Sequence, residues 1–373
     1  MKVERGATIA VVGASARAAA FSLLRAGYPV VTADLFADAD LARRCHATRI
    51  ASYPEGFDDW LTETKCDAWL YTGALENYPT LVDRLAASQT LLGHRGAGLR
   101  RVRDPLQLQA VLTRAGLQFP HTETANQTPK GDRWLGKTYR GSCGSGVCVN
   151  SGTAFVQQRI EGVPLSAVYI GSRLIGVTRQ FVGEPWTGAS EFQYCGTIAP
   201  WPVPSETLPQ LVRLGTVLHD EFELTDLYGV DLILDGGTLW TIEINPRYTA
   251  AAEVVERALE INVFANQSQQ ASTAPGAKGA LKHDVDPCGK VIVYAKAPLV
   301  ITAATSQSLL QHAGDLPWPT IADIPAAGTQ ILVGQPILTL FAAGESCENV
   351  QLQLQQRVAD VERGIYGKAR LCD

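Results

Sequence analysis

Apolar and polar residues alternate with a period of two on both sides of a Gly-Gly pair near the middle of the chain. The apolar positions are Val230, Leu232, Leu234, Trp240, Ile242 and Ile244. The polar positions are Asp231, Thr241, Glu243 and Asn245. Successive side chains of a strand point to opposite faces, and Asp-Gly-Gly is a turn sequence. The pattern therefore predicts an antiparallel hairpin with the apolar set facing a core and the polar set on the other face.

The polar face of this hairpin carries candidate metal ligands. Asp231 is expected opposite or diagonal to Glu243, at roughly 5–8 Å. Two carboxylates this close repel each other unless a cation lies between them, and with Asn245 they are too few for a closed cage, which suits Mg²⁺ shared with phosphate oxygens. Arg247, just past the strand, adds a bidentate donor for an anion. A hairpin whose polar face merely meets water is the alternative, although Asn-Pro-Arg after a buried strand is not typical surface sequence.

Strand and helix patterns alternate over residues 8–87, which predicts a parallel α/β sheet. The loop Gly13–Arg17 is not GxGxxG, so it is only a weak candidate for a dinucleotide site. Ligands of such sheets bind at the carboxyl ends of strands. Glu76 and Asn77, which follow a strand closely, are therefore candidate substrate contacts; a helix start with both side chains solvated is an equal alternative.

A glycine-rich loop follows the predicted strand Trp134–Thr138. Over residues 140–147, backbone N–H groups could converge on phosphate oxygens, with Lys137 as a nearby point charge. No Gly-Lys-Ser/Thr closes the loop, so it is not a P-loop, and a flexible hairpin loop is equally consistent with the sequence. Cys143 within it is a weak candidate for a catalytic thiol.

Composition narrows the class of protein. The 373 residues, 46% hydrophobic and 18% charged, predict a compact protein of two or three domains. A net charge of −5 without a basic stripe argues against nucleic-acid binding. No apolar run approaches the roughly 20 residues of a membrane span, and no signal peptide is recognised. Eight cysteines without a CxxC pair, and six histidines without metal-ligand spacing, argue against zinc and for a reducing cytoplasm.

Taken in order, these features resemble the ATP-grasp superfamily, and among its members the ATP-dependent carboligases related to biotin carboxylase. The specific part of the resemblance is Glu243–Arg247, and the segment from Asp323 to Pro336 is similar to the end of biotin-carboxylase-type members. The resemblance covers nearly the whole chain and implies an α/β fold with an α+β lid. The implied parts are a Rossmann-like pre-domain at 1–103, a lid at 104–165, a metal-binding lobe at 166–270 and a C-terminal β-rich segment with a final helix at 271–373.

The resemblance also implies roles for individual residues. ATP phosphates would be bound by Lys137 and by a loop containing Gly141, Ser142, Gly144 and Gly146. The adenine edge would be read at an interdomain hinge formed by Gln157, Gln158, Arg159, Ile160 and Glu161. Mg²⁺ or Mn²⁺ would be held by Asp231, Glu243 and Asn245. Arg247, together with Lys137, would act on the transferred phosphoryl group or the acyl-phosphate made from it.

Two positions depart from the family pattern. Asp104-Pro105 stands where such enzymes often have a lysine, and Arg103 is the nearest substitute. Pro164 stands where a glutamate often binds the ribose, and Glu161 is the nearest carboxylate. Both departures weaken the argument for nucleotide affinity without touching the predicted metal site.

The expected function is an ATP- and Mg²⁺-dependent ligase that activates a carboxylate as an acyl-phosphate for attack by an amine, with the biosynthesis of a one-carbon cofactor as one setting. Carboxyphosphate chemistry on bicarbonate and a nucleotide-binding protein without turnover are the alternatives. Substrate contacts are expected from Glu76, Asn77 and a predicted loop over Gln180–Gly196 that includes Tyr194. The expected partners are small-molecule carboxylate and amine substrates and, as one option, a second copy in a homodimer, with neither nucleic acid nor membrane.

Overall fold

The computed structural model describes residues 3–4, 6–125, 131, 133–141, 144, 146–149, 154–265, 285–314 and 317–366. Ser142 and Cys143 lie outside these ranges, and so does the segment 266–282, whose sequence is rich in Gln, Ala, Ser and Gly and predicts a mobile loop.

The first sheet is the parallel α/β sheet that the sequence predicts. Its strands are β1 (Ile9–Val12), β2 (Val30–Asp34), β3 (His46–Arg49) and β4 (Ala68–Tyr71). Its helices are α1 (Arg17–Arg25), α2 (Ala39–Ala42), α3 (Gly56–Glu63) and α4 (Pro79–Ser88). The strands pair in the order β3-β2-β1-β4. Every residue of β1 is buried, as expected for a strand covered on both faces.

A small antiparallel sheet follows two short helices. The helices are α5 (Gly96–Val102) and α6 (Pro105–Arg114). The strands, in the order β5-β8-β6-β7, are β5 (Thr122–Thr124), β6 (Trp134–Lys137), β7 (Val147–Val149) and β8 (Phe155–Gln158). The Asp104 side chain caps α6 by accepting from the N–H groups of Leu106 and Gln107. Pro105 then occupies the first helical position, where no N–H is needed.

The third and largest sheet has eight strands in the order β13-β12-β9-β10-β11-β14-β18-β16. Its strands are β9 (Val163–Ile170), β10 (Arg173–Val182), β11 (Tyr194–Ala199), β12 (Leu227–Asp235), β13 (Thr238–Asn245), β14 (Cys288–Tyr294), β16 (Ile321–Ala322) and β18 (Pro336–Ala343). A separate ribbon pairs β15 (Leu299–Val300) with β17 (Gln330–Ile331). The sheet contains strands from both sides of residue 270, so the division into a metal-binding lobe and a C-terminal segment remains a prediction.

Helices cover both faces of the large sheet. They are α7 (Leu208–Phe222), α8 (Ala250–Leu259), α9 (Ala303–His312) and α10 (Cys347–Tyr366). Leu165, Ala167 and Tyr169 of β9 belong to the same hydrophobic core as the buried residues of α7. Val168, whose side chain points to the other face of β9, belongs to the core formed with α8 and α1. The helices α7 and α8 therefore lie on opposite faces, and α8 joins the first sheet to the large one. None of the helices in the described ranges is both long and apolar enough to cross a membrane.

The predicted hairpin is formed by β12 and β13. Gly236 and Gly237 make the two-residue turn with φ of +50° and +88°, which suits a type I′ turn. The strict alternation that the sequence predicts is wrong, because the register shifts between Asp231 and Leu232 and leaves Ile242 as an extra residue in a β-bulge.

The bulge reverses which residues of β13 face the core. Trp240 and Ile242, expected in the core, are only half-buried. Leu239 and Thr241, on the opposite parity, are 5% and 2% exposed. Beyond the bulge the predicted parity returns, and Ile244 is fully buried.

A buried charged cluster joins α1, α8 and β14. Arg17 of α1 pairs with Glu253 of α8, and Lys290 Nζ of β14 donates to the same carboxylate at 2.6 Å. Arg17 also pairs with Asp323 at 2.8 Å. Burial alone would raise the pKa of Glu253, but Arg17 and Lys290 outweigh it and hold that pKa far below its ordinary value.

Candidate functional site

The predicted metal ligands lie together on one wall of the large sheet. Asp231 is directly opposite Glu243 in the hairpin register. The Asp231 carboxylate accepts from Asn245 Nδ2 at 2.9 Å and from Gln180 Nε2 at 2.8 Å. Gln180 reaches across β9, where the intervening residue is the small Ser166. The structure therefore brings the three predicted residues together and adds Gln180, which was predicted only as the first residue of a substrate loop.

The two carboxylates differ in their electrostatic surroundings. Burial and the charge of Glu243 raise the pKa of Asp231 to about 6. Burial also acts to raise the pKa of Glu243, but Arg103 and Lys137 outweigh it and lower that pKa. Asp231 is thus the member of the pair that a further cation would stabilise most in its ionised form.

The donor set of this wall fits Mg²⁺ or Mn²⁺. Two carboxylates and one amide oxygen are hard ligands, and fewer than such ions require. Within the described residues, no group of three or more His, Cys, Asp or Glu side chains could hold a metal ion. Because three oxygen ligands are too few for a closed shell, an ion on this wall would take further ligands from phosphate oxygens or water.

Arg247 connects this wall to the first sheet. Its Nε donates to Glu76 Oε1 at 2.7 Å, and its Nη2 donates to Asn245 Oδ1 at 3.2 Å. Glu76 is 1% exposed, so the alternative of a solvated Glu76 is wrong. A Cβ at Gly73 would lie 2.9 Å from the guanidinium carbon of Arg247, so glycine at this position leaves room for the guanidinium.

Arg103 lies on the other side of Glu243. Its Nη1 donates to Glu243 Oε1 at 2.6 Å and to the Ile244 carbonyl at 2.8 Å, and its Nη2 donates to Asn77 Oδ1 at 2.8 Å. Asn77 in turn donates from Nδ2 to the Gly141 carbonyl at 3.3 Å. Glu76 and Asn77 share one short 3-10 turn, so adjacent residues each hold one arginine of the site.

A cavity of about 110 Å³ opens beside Glu243. The residues around it include Arg103, Lys137, Gly141, Gly144, Gly146 and Gln157. Lys137 Nζ donates to Gln157 Oε1 at 2.6 Å. Burial lowers the pKa of Lys137, while Glu243 and Asp231 act in the opposite direction. The cavity therefore combines the Lys137 cation, three glycines of the loop and the Glu243 carboxylate, as the prediction of a phosphate site beside a metal ion requires.

Gly144 has a specific structural reason to be glycine. Its φ is +81°, and a Cβ there would collide with the Phe192 carbonyl oxygen. Gly144 thus packs directly against the segment between β10 and β11.

The predicted hinge is only partly available to a ligand. The N–H groups of Gln158 and Arg159 donate to the carbonyls of His121 and Arg133, each at 2.8 Å. A backbone N–H contact to adenine would therefore fall to Ile160 or Glu161, which follow β8.

Tyr194 lies on β11, three strands from β12. At about 4.8 Å per strand, β11 lies about 14 Å from β12, the strand that carries Asp231. The expectation of a loop over Gln180–Gly196 is wrong at both ends, because Gln180 belongs to β10 and Tyr194 begins β11.

Comparisons with known proteins agree with this architecture. The family described as ATP-grasp domain matches residues 102–251. Among solved structures, the L-amino acid ligase from Bacillus licheniformis is similar with a TM-score of 0.68 at 15% identity, over 96% of this chain and 98% of that one. N5-carboxyaminoimidazole synthetase from Staphylococcus aureus, complexed with ADP, gives 0.66 at 14% over 96% and 98%.

A third solved structure extends the comparison. Biotin carboxylase from Campylobacter jejuni, complexed with β,γ-ATP, has a TM-score of 0.66 at 13% identity, over 92% of this chain and 89% of that one. No curated protein matches the sequence. At these identities the solved structures show the fold, and the family match covers the segment that holds Lys137, Asp231, Glu243 and Asn245. Residues 102–251 of the chain therefore match an ATP-grasp domain, and the whole chain shares its fold with the solved structures named above.

Proposed function

We propose that the protein is an ATP- and Mg²⁺-dependent ligase that activates a substrate carboxylate as an acyl-phosphate and joins it to an amine. The observation that carries the proposal is the direct pairing of Asp231 with Glu243 beside a cavity that Lys137 and the glycine loop line. Phosphoryl transfer needs positioned positive charge more than covalent help from the protein, and this site provides it.

Each part of the site has a task in this reaction. Lys137 and the loop glycines would bind the ATP phosphates, and Asp231, Glu243 and Asn245 would hold the ion. When bound, the ion neutralises charge on the phosphate oxygens. Arg247, held by Glu76 at the end of the first sheet, would orient the substrate carboxylate and steady the phosphoryl group as it moves. The proton of the attacking ammonium would have to be lost before the new C–N bond forms, with phosphate as the leaving group.

Carboxyphosphate chemistry on bicarbonate is the second candidate. The biotin carboxylase and N5-carboxyaminoimidazole synthetase likenesses favour it. Bicarbonate-dependent phosphate release in the absence of other carboxylates would distinguish it from the ligase reaction.

The first experiment is a screen for ATP-dependent products, read by mass spectrometry and phosphate release. Amino acids, polyamines, precursors of one-carbon cofactors and bicarbonate are the substrates. Amino acids are included because one similar structure is an L-amino acid ligase; the cofactor precursors follow from the resemblance to carboligases. ATP or ADP binding with no phosphate release across the panel would instead favour a binding protein without turnover.

The second experiment removes the shared carboxylate. Glu243→Ala should lower turnover by at least a hundredfold, because the ion would lose a ligand, while the apolar face of the hairpin is unchanged. Asp235→Ala, at the exposed end of β12, is the matched control and should keep full activity. Near-normal turnover by a folded Glu243→Ala variant would show that the metal assignment is wrong.

A further inference from the structure

The Arg103 guanidinium is bonded to Glu243, one of the three residues proposed to hold the metal ion. Arg103 Nη1 donates to Glu243 Oε1 at 2.6 Å, and the Arg103 side chain is only 13% exposed. Lys137, the other cation of the cavity, hydrogen-bonds to Gln157 instead. In this arrangement, Arg103 is the group that neutralises Glu243 most directly.

The same side chain also faces the candidate phosphate cavity. Arg103 lines that cavity together with Lys137 and the loop glycines. Its Nε is buried and has no hydrogen-bond partner among the described residues. Buried donors are nearly always satisfied in native structures, so an orphaned one suggests an acceptor that binds there.

A guanidinium can serve both partners because its donors point in several fixed directions. Asn77 Oδ1 and the Ile244 carbonyl hold the group in position. Carboxylate and phosphate oxygens both accept hydrogen bonds from a guanidinium, so a donor that now binds Glu243 can bind a phosphate oxygen instead.

We infer that Arg103 is the resident counter-ion of Glu243, which a divalent metal displaces, and that the displaced guanidinium then binds a phosphate of the nucleotide. This inference rests on the proposed function, because it assumes that ATP and a metal meet at this wall. Arg103 would thereby couple the two ligands, because metal binding breaks the Arg103–Glu243 hydrogen bond and phosphate binding replaces it with a new one. The two ligands should therefore bind cooperatively and by the same factor in either order.

The test compares wild type with Arg103→Met in two titrations. Mn²⁺ is titrated without nucleotide and followed by electron paramagnetic resonance; ADP is titrated by calorimetry with EDTA and then with Mg²⁺. Removing the competitor should tighten Mn²⁺ binding at least threefold. It should also reduce the ratio between the ADP affinities with and without Mg²⁺ at least fivefold.

Two further variants make the outcome specific. Arg100→Met removes a positive charge from α5, the helix that ends just before Arg103, at an exposed residue paired with Asp83, and should leave both titrations unchanged. Arg103→Lys keeps the charge with fewer donors and should fall between wild type and Arg103→Met. It also stands in if thermal unfolding shows that Arg103→Met does not fold.

Equal Mn²⁺ affinity in wild type and Arg103→Met, including no binding by either, would overturn the inference. Weaker ADP binding with unchanged Mn²⁺ binding would overturn it too, because Arg103 would then be a phosphate contact without the exchange. Failure of wild type to bind ADP with Mg²⁺ would count against the proposed function itself, which separates the two.

Discussion

Replacing Glu253 with glutamine tests the buried charged cluster that joins α1, α8 and β14. Glu253 is 2% exposed, and its partners Arg17 and Lys290 are 1% and 4% exposed. Without the carboxylate charge, Arg17 keeps Asp323, but Lys290 has no other ion pair among the described residues. Breaking a buried pair by removing one partner costs about 3–5 kcal/mol, because the remaining charge stays buried. We therefore expect Glu253→Gln to lower the free energy of unfolding by about 4 kcal/mol.

Thermal unfolding can measure this loss. Unfolding entropy is about 2.1 cal/mol/K per residue, so a chain of this length that unfolds as one unit changes by about 0.8 kcal/mol per degree. The midpoint should then fall by about 5 °C. Glu260→Gln, at the exposed end of α8, is the control and should stay within about 1 °C of wild type.

A double variant separates the buried charge from simple loss of packing. Adding Lys290→Met to Glu253→Gln removes the unpaired ammonium and should recover more than half of the loss. A single variant as stable as wild type, or a double variant less stable than the single one, would refute the reasoning.

Two further predictions concern pH and the glycine loop. Burial and the charge of Asp323 raise the pKa of Asp40 from 3.8 to about 6. The folded protein therefore binds this proton more tightly than the unfolded chain does. The resulting contribution to the free energy of unfolding is full below pH 3.8 and is lost as pH rises through about 6. The thermal midpoint should fall between pH 4.5 and 7.5, and a midpoint that rises across this range would contradict the assignment. Gly144→Ala should weaken ADP binding at least fivefold, because its Cβ collides with the Phe192 carbonyl, whereas Gly328→Ala, with a similar φ of +85° but open space around it, should bind ADP normally. Equal ADP affinity in the two variants would show that the packing of the loop on Phe192 does not matter for the nucleotide.

Local patterns predicted the hairpin and the pairing of Asp231 with Glu243, because alternation and turn chemistry act over a few residues. They did not predict the bulge, since nothing in a run of apolar residues marks Ile242 as the unpaired one. Local patterns also could not predict which carboxylates pair with Arg247 and Arg103. Glu76 and Arg247 are 171 positions apart in sequence, and Arg103 and Glu243 are 140 apart. Only the folded arrangement of the two sheets brings these pairs together.

The 3-10 turn of Leu75–Asn77 has a consequence for how such a site can change. Because neighbouring residues of one rigid turn anchor Arg247 and Arg103, any molecule that shifts this turn displaces both cations at once. Under the proposed function, selectivity for the acid and binding of the triphosphate would therefore change together whenever this turn is altered. Attempts to redesign the substrate preference should leave residues 75–77 untouched and remodel the surrounding side chains instead.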